Sequence, residues 1–410
     1  MSKKTAIIIT ILVILAGTSI LYFMIGGKVP LSLPTFFESP FGNAPEEPEG
    51  TPEGYTDEEN GGGGDEFFPE GGEGAQKTKL FKISSYPVAG AVSFIKTGST
   101  YIRYVDRATG HVEEVKPRTL ERAKIVNTTR PKVYEALWRK DGAGYIERTL
   151  NEEDESVINI SMMMVPPNSS STDNLYSVKS TLLSGDVGEI VVGEGGSLLY
   201  NIKETGAINT SGFSGEKPRV ITTLPFRSWR IEPTTKDMAV IYTKPSYLAL
   251  GYAYNLDLKN GTLKKILGPL FSLTILPSQN ERVAFGYIDN NKFVFSIRNL
   301  KNNSETRISP VTLPEKCVWS QKLKTILFCG VPENGVDSKN PDSWYQGITN
   351  FSDKIWKINS DTGTAEILID PKEVLGETID VVNPILSPDE DYLFFTNKND
   401  LNLWSLELRP

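Results

Sequence analysis

The chain has a single histidine, His111, and only two cysteines. Zinc sites are usually built from several His or Cys ligands, so we expect no metal centre. A Ser-His-Asp triad would have to use His111, which lies in the turn-like run DRATGHVEEV and is more simply a surface residue beside a hairpin. Dinucleotide and phosphate motifs are also missing. We therefore predict no cofactor and no catalytic constellation.

Positive charge is missing from one long region. No Lys or Arg occurs between Val29 and Gln76, where the chain is rich in Pro, Gly and Glu and carries twelve acidic residues. Such a composition cannot bury enough apolar surface to offset the entropy of ordering, so 28–78 is predicted to be a disordered acidic linker. A flexible chain of this length spans roughly 40 Å. The rest of the chain is nearly neutral and lacks an electrostatic footprint for nucleic acid.

Residues 5–27, TAIIITILVILAGTSILYFMIGG, form a long run without charge. About 20 such residues span the hydrocarbon core of a bilayer, so a single transmembrane helix is predicted here. Lys3 and Lys4 precede the run and only Lys28 follows it closely. The positive-inside rule places residues 1–4 in the cytoplasm and the rest outside the cytoplasmic (inner) membrane. A cleaved signal peptide is the alternative, but its apolar region is usually only about 7–15 residues long.

From residue 79 the pattern changes to short apolar runs separated by turn residues. Four runs align, at 238–243, 282–287, 325–330 and 392–397, and each precedes a second strand-like segment. A series of turns counts seven units: Thr97-Gly98, Asp141-Gly142, Gly195-Gly196, 245–246, Asp289-Asn290, 331–353 and 397–400. Residues 79–410 then give about 47 residues per unit, which is typical of β-propeller blades with four antiparallel strands.

The last unit supplies only three strands, because the chain stops shortly after NLWSLEL. KLFKIS, at 79–84, is left over at the start of the domain. We predict that this N-terminal strand completes the last blade and closes the ring, which removes edges open to aggregation. The predicted fold class is thus all-β, most simply a propeller of seven four-stranded blades. Six or eight blades remain open, as does a stacked pair of β-sandwiches.

The C-terminal segment SPDEDYLFFTNKNDLNLWSLEL, 387–408, resembles the WD40-like (PD40-type) repeat of TolB-like propellers. Ser387-Pro388-Asp389 matches the turn of that repeat and Trp404 its aromatic strand, while Ser320 keeps only the turn serine. The first three units match by spacing and turns rather than by motif. The resemblance implies a propeller that acts as a binding platform in the cell envelope, but fold does not fix function.

One long loop is the leading candidate for a partner-binding surface. In a propeller, loops between second and third strands share one face with the connections between blades. The longest such loop, 331–353, carries Trp344, Tyr345 and Phe351, and Tyr247 lies on the matching loop of blade four. Exposed aromatics often mark binding surfaces. The alternative is that these side chains fold back over blade six.

Cys317 and Cys329 flank the turn at 320–324. If that turn pairs Trp319 with Thr325, the two cysteines lie on the same face of neighbouring strands with a diagonal offset. A disulfide is permitted outside the cytoplasm, although such an offset would strain it. The alternative is a pair of buried thiols.

The sequence therefore favours a membrane-anchored, extracytoplasmic propeller that binds an envelope protein or glycan without catalysis. Two alternatives remain, an envelope hydrolase or lyase and a structural part of a surface appendage or secretion assembly. A channel lined by convergent Asp, Glu, Arg and Tyr would favour the enzyme, and a channel of small apolar groups would favour the scaffold. The acidic turns 151–155 and 389–391 are expected to be solvated rather than calcium sites.

Overall fold

The computed structural model describes residues 78–151, 153–167 and 174–409. No helix in these ranges is long and apolar enough to cross a membrane. The predicted transmembrane segment 5–27 and the linker up to residue 77 lie outside them. The described residues form antiparallel β-structure, as the short alternating apolar runs predict.

Six sheets follow one another along the chain, and the first three have four strands each. Sheet 1 contains β2 (Val88–Lys96), β3 (Ser99–Asp106), β4 (Val112–Lys116) and β5 (Glu121–Val126). Sheet 2 contains β6 (Glu135–Trp138), β7 (Gly144–Leu150), β8 (Val157–Val165) and β9 (Ser177–Leu182). Sheet 3 contains β10 (Val187–Val192), β11 (Leu198–Ile202), β12 (Ala207–Ser211) and β13 (Arg219–Thr223). A 3₁₀ turn at Glu194–Gly196 joins β10 to β11.

The fourth sheet has seven strands. It contains β14 (Trp229–Thr235), β15 (Met238–Thr243), β16 (Leu250–Asp257), β17 (Leu263–Pro277), β18 (Arg282–Asp289), β19 (Lys292–Asn299) and β20 (Glu305–Arg307). The long strand β17 pairs with β16 through its first half and with β18 through its second, and the two registers meet at Phe271. Strand β17 therefore changes its pairing partner near its middle.

The last two sheets complete the domain. Sheet 5 contains β21 (Cys317–Trp319), β22 (Ile326–Pro332), β23 (Asp353–Asn359) and β24 (Ala365–Ile369), and a 3₁₀ turn at Pro314–Lys316 precedes it. Two short helices belong to its loops, α1 (Asp342–Tyr345) and α2 (Pro371–Leu375). Sheet 6 contains β25 (Val381–Leu386), β26 (Tyr392–Asn397), β27 (Leu403–Glu407) and, at its outer edge, β1 (Leu80–Lys82).

The predicted N-terminal closing strand is confirmed. Leu80 lies opposite Leu406 and Lys82 opposite Trp404, so β1 is the fourth strand of the sheet that ends the chain. The amide of Ile83 also donates a 2.7 Å hydrogen bond to the Leu403 carbonyl. Leu80 is fully buried, so an apolar side chain secures this edge.

Apolar clusters lie between successive sheets and run around the whole domain. One packs sheet 1 on sheet 2, through residues such as Val105 and Tyr145. Another packs sheet 6 on sheet 1, where Phe394 and Tyr104 are both buried. A further cluster packs the two halves of the seven-stranded sheet on each other. The sheets thus close into a ring, which is a β-propeller architecture.

The first strand of each sheet lies nearest the axis of this ring. Consecutive first strands contact each other, as β2 contacts β6, β10 contacts β14 and β25 contacts β2. The turn Pro314–Lys316 contacts both β17 and β25. One side of the ring carries the connections between sheets and the loops between second and third strands, and we call this side the upper face.

The turn series from which seven units were counted combines two kinds of hairpin, so it does not by itself establish the number of blades. Thr97-Gly98 joins the first and second strands of sheet 1, whereas 333–352 joins the second and third strands of sheet 5. Gly98 and Asn290 both have positive φ, at 74° and 48°. Tight turns of either kind need such residues, so their composition does not tell which hairpin they close.

Candidate functional site at the ring axis

Charged and tyrosine side chains from several sheets meet near the axis on the upper face. We call this set the axial cluster: Glu189 on β10, Arg230 and Glu232 on β14, Tyr242 on β15, Glu315 on the turn before β21, and Tyr345 on α1. Alternation along β14 explains part of the arrangement. Trp229 and Ile231 are buried in the core shared with sheet 3, so Arg230 and Glu232 lie on the other side of the strand.

An ion pair joins two sheets at the centre of the cluster. The Arg230 Nη1 atom lies 2.9 Å from Glu189 Oε2 and 3.2 Å from Glu189 Oε1. The Arg230 side chain is 30% exposed and that of Glu189 23%, so the pair remains accessible to water. The carboxylate of Glu189 raises the pKa of Arg230, which keeps its charge. A second pair, Arg148 with Glu135, lies within reach of the same Glu189 charge.

Glu232 is the most perturbed carboxyl group of the axial cluster. Desolvation raises its pKa to about 8, and the negative charge of Glu189 adds to the effect while Arg230 opposes it. At neutral pH this side chain is therefore mostly a carboxylic acid, able to donate a hydrogen bond. A neutral acid beside an ion pair is the arrangement from which general acids are built.

Tyr345 and Glu315 form the outer side of the cluster. The Tyr345 hydroxyl donates a hydrogen bond to Glu315 Oε1. Burial raises the pKa of Glu315, and this hydrogen bond works in the opposite direction. The second oxygen, Oε2, is buried and has no hydrogen-bond partner among the described residues. Such an acceptor is costly to leave without a donor, so it is a point at which a ligand hydroxyl would be stabilised.

A buried lysine lies next to the axial cluster. Lys316 follows Glu315 directly, is fully buried, and sits between two buried aspartates. Its Nζ lies 2.7 Å from Asp353 Oδ2 and also contacts Asp380 Oδ1. The rings of Trp344 and Phe351 face the ammonium at 4.9 and 5.1 Å from their centroids. We call these five residues the lysine cluster.

The aromatics predicted to form an exposed binding surface lie elsewhere. Trp344 and Phe351 are only 5% and 7% exposed, so the prediction that they are exposed is wrong for these two residues. They fold back over sheet 5, which is the alternative that the sequence left open. The reason is polar as well as apolar, because the Trp344 Nε1–H donates to Asp380 at 3.0 Å. Tyr345 belongs to the axial cluster. Tyr247 is 36% exposed, and its amide donates a 2.6 Å hydrogen bond to Asp342 of α1.

The loop 333–352, which we call the long loop, therefore reaches across the upper face. Besides the Tyr247 contact, the Ser272 hydroxyl donates a 2.9 Å hydrogen bond to the Asn340 carbonyl. Ser272 lies on β17, so the loop starts at sheet 5 and leans over the seven-stranded sheet. Its Tyr345 then closes one side of the axial cluster.

Cys317 and Cys329 are joined by a disulfide in the structure. The predicted register, with Trp319 opposite Thr325, is wrong: Trp319 lies opposite Leu327, and the two cysteines lie directly opposite each other. Their Cα atoms are 4.1 Å apart. The diagonal offset expected from the sequence is therefore not present.

The acidic turn 389–391 is not simply solvated. Glu390 accepts hydrogen bonds from the Ser320 hydroxyl at 2.6 Å and from the amides of Gln321 and Lys322 at 2.6 and 2.9 Å. This contact joins sheet 6 to sheet 5 on the face opposite the axial cluster. No group of three or more His, Cys, Asp or Glu side chains suited to a metal ion occurs in the part of the chain that the structure describes. His111 lies beside its hairpin turn, 3.2 Å from Thr129.

Comparison with known proteins supports the ring architecture. A solved structure described as streptogramin B lyase matches with a TM-score of 0.50 and 12% identity, over 80% of this chain and 97% of that one. A hydrazine synthase from Kuenenia stuttgartiensis matches with a TM-score of 0.49 and 13% identity, over 82% and 98% of the two chains. No protein-family model and no curated protein matches the sequence. At this identity the first likeness shows the propeller-like fold alone and assigns no activity.

The sequence did not point to the axial cluster. Arg230 and Glu232 alternate with Trp229 and Ile231 in SWRIEP, a pattern that usually marks a half-exposed strand. A more specific signal is the position of Glu315, Lys316 and Asp380 just before the first strands of their sheets. In a ring, such positions converge on the axis of the upper face.

Proposed function

We propose that this chain binds a glycan at the mouth of its ring axis and presents that site outside the cytoplasmic membrane. The observation that carries the proposal is the convergence of five side chains from four elements on one half-buried site: Arg230, Glu232, Tyr242, Glu315 and Tyr345. Donors and acceptors alternate there: a guanidinium, a neutral carboxylic acid, phenols and a carboxylate with one oxygen free of a partner among the described residues. Sugar hydroxyls both donate and accept, so they suit such a set.

A binding assay with envelope glycans tests this proposal. The full-length chain in detergent is titrated with fractionated envelope oligosaccharides, and Arg230→Met and Tyr345→Phe are compared with the wild type. We expect both changes to weaken binding at least tenfold. Tyr247→Phe is the matched control, since Tyr247 lies on the same face with an exposed side chain. Binding that is equal in all four proteins, or capture of a protein partner that no glycan competes for, would contradict the glycan site.

A glycan hydrolase or lyase is the second candidate, and two observations favour it. The first is the convergence of Glu, Arg and Tyr side chains at the axis, which is the lining expected of an enzyme rather than of a scaffold. The second is the protonation state of one carboxyl group. Glu232 holds its proton at neutral pH and lies beside the Arg230–Glu189 pair. Carboxyl groups with separated pKa values are the usual acid and base in glycoside cleavage. Incubation with the same oligosaccharides distinguishes the two functions. New reducing or unsaturated ends that disappear in Glu232→Gln would establish an enzyme, and unchanged oligosaccharides would leave a binding module.

The membrane anchor at 5–27 and the linker at 28–78 belong to the proposal. The apolar length of the first and the acidic composition of the second support them. Cell fractionation of the full-length chain and of a variant without residues 1–28 tests the anchor. The deletion should move the protein from the membrane fraction to the soluble fraction. Protease added outside spheroplasts should cleave the linker. A chain that is protected from protease would contradict the predicted orientation.

We further propose that the ring has seven blades of the TolB-like type. Strand β17 would serve two blades, as the outer strand of one and the inner strand of the next. The support is the change of partner at Phe271 and the apolar cluster between the two halves of that sheet. An experimental density map that shows a flat seven-stranded sheet at this point would contradict the count.

A further inference from the structure

The lysine cluster is closed to solvent and holds an amine against two carboxyl groups. Lys316, Asp353 and Asp380 are each 2% exposed or less. Within the part of the chain that the structure describes, the Lys316 Nζ donates to the two carboxylates and, at 3.1 Å, to the Val381 carbonyl. Trp344 and Phe351 cover the group with their rings. Burying these three ionic groups away from water costs free energy, because their desolvation opposes their mutual attraction.

The two aspartates are not equivalent. Asp380 receives the indole N–H of Trp344 at 3.0 and 3.1 Å and the Phe351 amide at 3.0 Å. These donors would stabilise negative charge that develops on its oxygens. Asp353 accepts the Val381 amide at 2.7 Å through Oδ2, and its buried Oδ1 lacks a partner among the described residues. An oxygen without a donor favours a protonated carboxyl, and burial raises the pKa of Asp353 accordingly.

We propose that Lys316 and Asp380 condense into an amide, an intramolecular isopeptide bond, and that Asp353 carries the protons. Lys316 first transfers a proton from its ammonium to Asp353, which leaves a neutral amine. The amine attacks Cγ of Asp380 and forms the new C–N bond. The negative oxygen of the tetrahedral intermediate is held by the Trp344 and Phe351 N–H groups.

The step then completes without any external reagent. Asp353 delivers the first proton to the departing oxygen, takes a second proton from the nitrogen and delivers it to the same oxygen, and the C–O bond of Asp380 breaks as water leaves. One ammonium and one carboxylate become one amide and one water molecule. Proximity replaces chemical activation, because the reacting groups are already in contact in a water-excluded site.

The consequence is a covalent link between two sheets. Lys316 precedes β21 of sheet 5 and Asp380 precedes β25 of sheet 6, and they are 64 residues apart in the chain. A cross-link of this kind lowers the entropy of the unfolded chain in the way that a disulfide does. It would fasten the sheet that closes the ring, and reducing agents would not open it.

Mass spectrometry of the full-length chain tests the proposal directly. After reduction of the disulfide, the wild-type mass is expected to be lower than the sequence mass by one water molecule. A protease digest should yield a branched peptide that joins Lys316 to Asp380. Lys316→Met should restore the full sequence mass, whereas Lys339→Met, which removes an exposed lysine of the long loop, should keep the loss of water.

Two further variants test the roles of the aspartates. Asp380→Asn should form the same amide with loss of ammonia in place of water, because the departing atom is then the side-chain amide nitrogen. Asp353→Asn should keep both reacting groups but leave the chain uncross-linked. A wild-type chain at its full sequence mass, or a lost water located at any other residue, would overturn the proposal. Complete cross-linking in Asp353→Asn would overturn the role of Asp353.

Discussion

The Tyr345 hydroxyl donates its hydrogen bond to Glu315, and the two residues are 30 positions apart in the chain. Tyr345 belongs to α1 in the long loop, whereas Glu315 lies on the turn that enters sheet 5 next to the axis. This contact therefore connects a loop that leans over the seven-stranded sheet to the centre of the ring. It also supplies the donor that partly offsets the burial of the Glu315 carboxyl group.

Removal of that donor should destabilise the protein in a pH-dependent way. In Tyr345→Phe, Glu315 loses its hydrogen bond and its pKa rises further above the ordinary value, which is about 4.3. The folded state then holds a proton that the unfolded state has released. The free energy of unfolding therefore falls as the pH rises from the ordinary pKa of a glutamate towards the raised pKa of Glu315 in the folded state. We expect a loss of about 1–2 kcal/mol at neutral pH and a smaller loss near pH 4. Urea unfolding at several pH values measures this loss of unfolding free energy, with Tyr247→Phe as the control.

Glu232 should contribute its own pH dependence. Its folded pKa of about 8 lies above the unfolded value, so native Glu232 binds a proton that the unfolded chain lacks. Its contribution to stability is therefore largest in acid and is lost as the pH rises from about 4.3 to about 8. Glu232→Gln cannot ionise and should lose less stability than the wild type between about pH 4.3 and about pH 8, the window that these two values define.

Urea midpoints of both proteins across that window test the Glu232 prediction. Glu121→Gln is the matched control, because Glu121 is an exposed glutamate of β5. Parallel pH profiles for the wild type and Glu232→Gln would show that Glu232 is already ionised at neutral pH. In that case it could not act as a hydrogen-bond donor or general acid in the axial cluster.

The cysteine pair should be oxidised in the mature protein. Cys317 and Cys329 are directly opposite on β21 and β22, and both are buried. A thiol assay on unfolded, untreated protein should detect no free thiol. Replacing both residues with Ser should lower the free energy of unfolding by roughly 2–4 kcal/mol, the usual contribution of a disulfide. Two titratable thiols per unfolded chain would show that the bridge does not form.

Strand pattern and ring closure were predictable from the sequence because both depend on local alternation and on a count of leftover strands. KLFKIS at 79–84 had no partner nearby, and its pairing with the last strand follows from the incomplete final unit. The register at Cys317 was not predictable, because hairpin length at 320–325 allows more than one pairing. The two-residue error moved the cysteines from a diagonal to an opposite position.

The axial cluster could not be predicted from the sequence, and the reason is different. Glu189 and Arg230 are 41 residues apart, and only the closure of the ring brings β10 and β14 together at the axis. A charged residue in an alternating strand normally faces solvent, so the pattern itself favours the wrong environment. The aromatics of the long loop were misplaced for the same reason. Asp380 and Lys316, the buried partners of Trp344, come from distant segments of the chain.

The closing strand gives a stability prediction with a close control. Leu80 of β1 is fully buried opposite Leu406, so Leu80→Ala removes apolar contacts and leaves a cavity at the seam of the ring. Such substitutions cost about 2–5 kcal/mol. Leu248→Ala should change stability by less than about 0.5 kcal/mol, because Leu248 is 74% exposed. Urea unfolding of the full-length proteins compares them, and hydrogen exchange at Ser405 and Leu406 should increase in Leu80→Ala alone. Equal stability of the two variants would mean that β1 does not hold the last sheet.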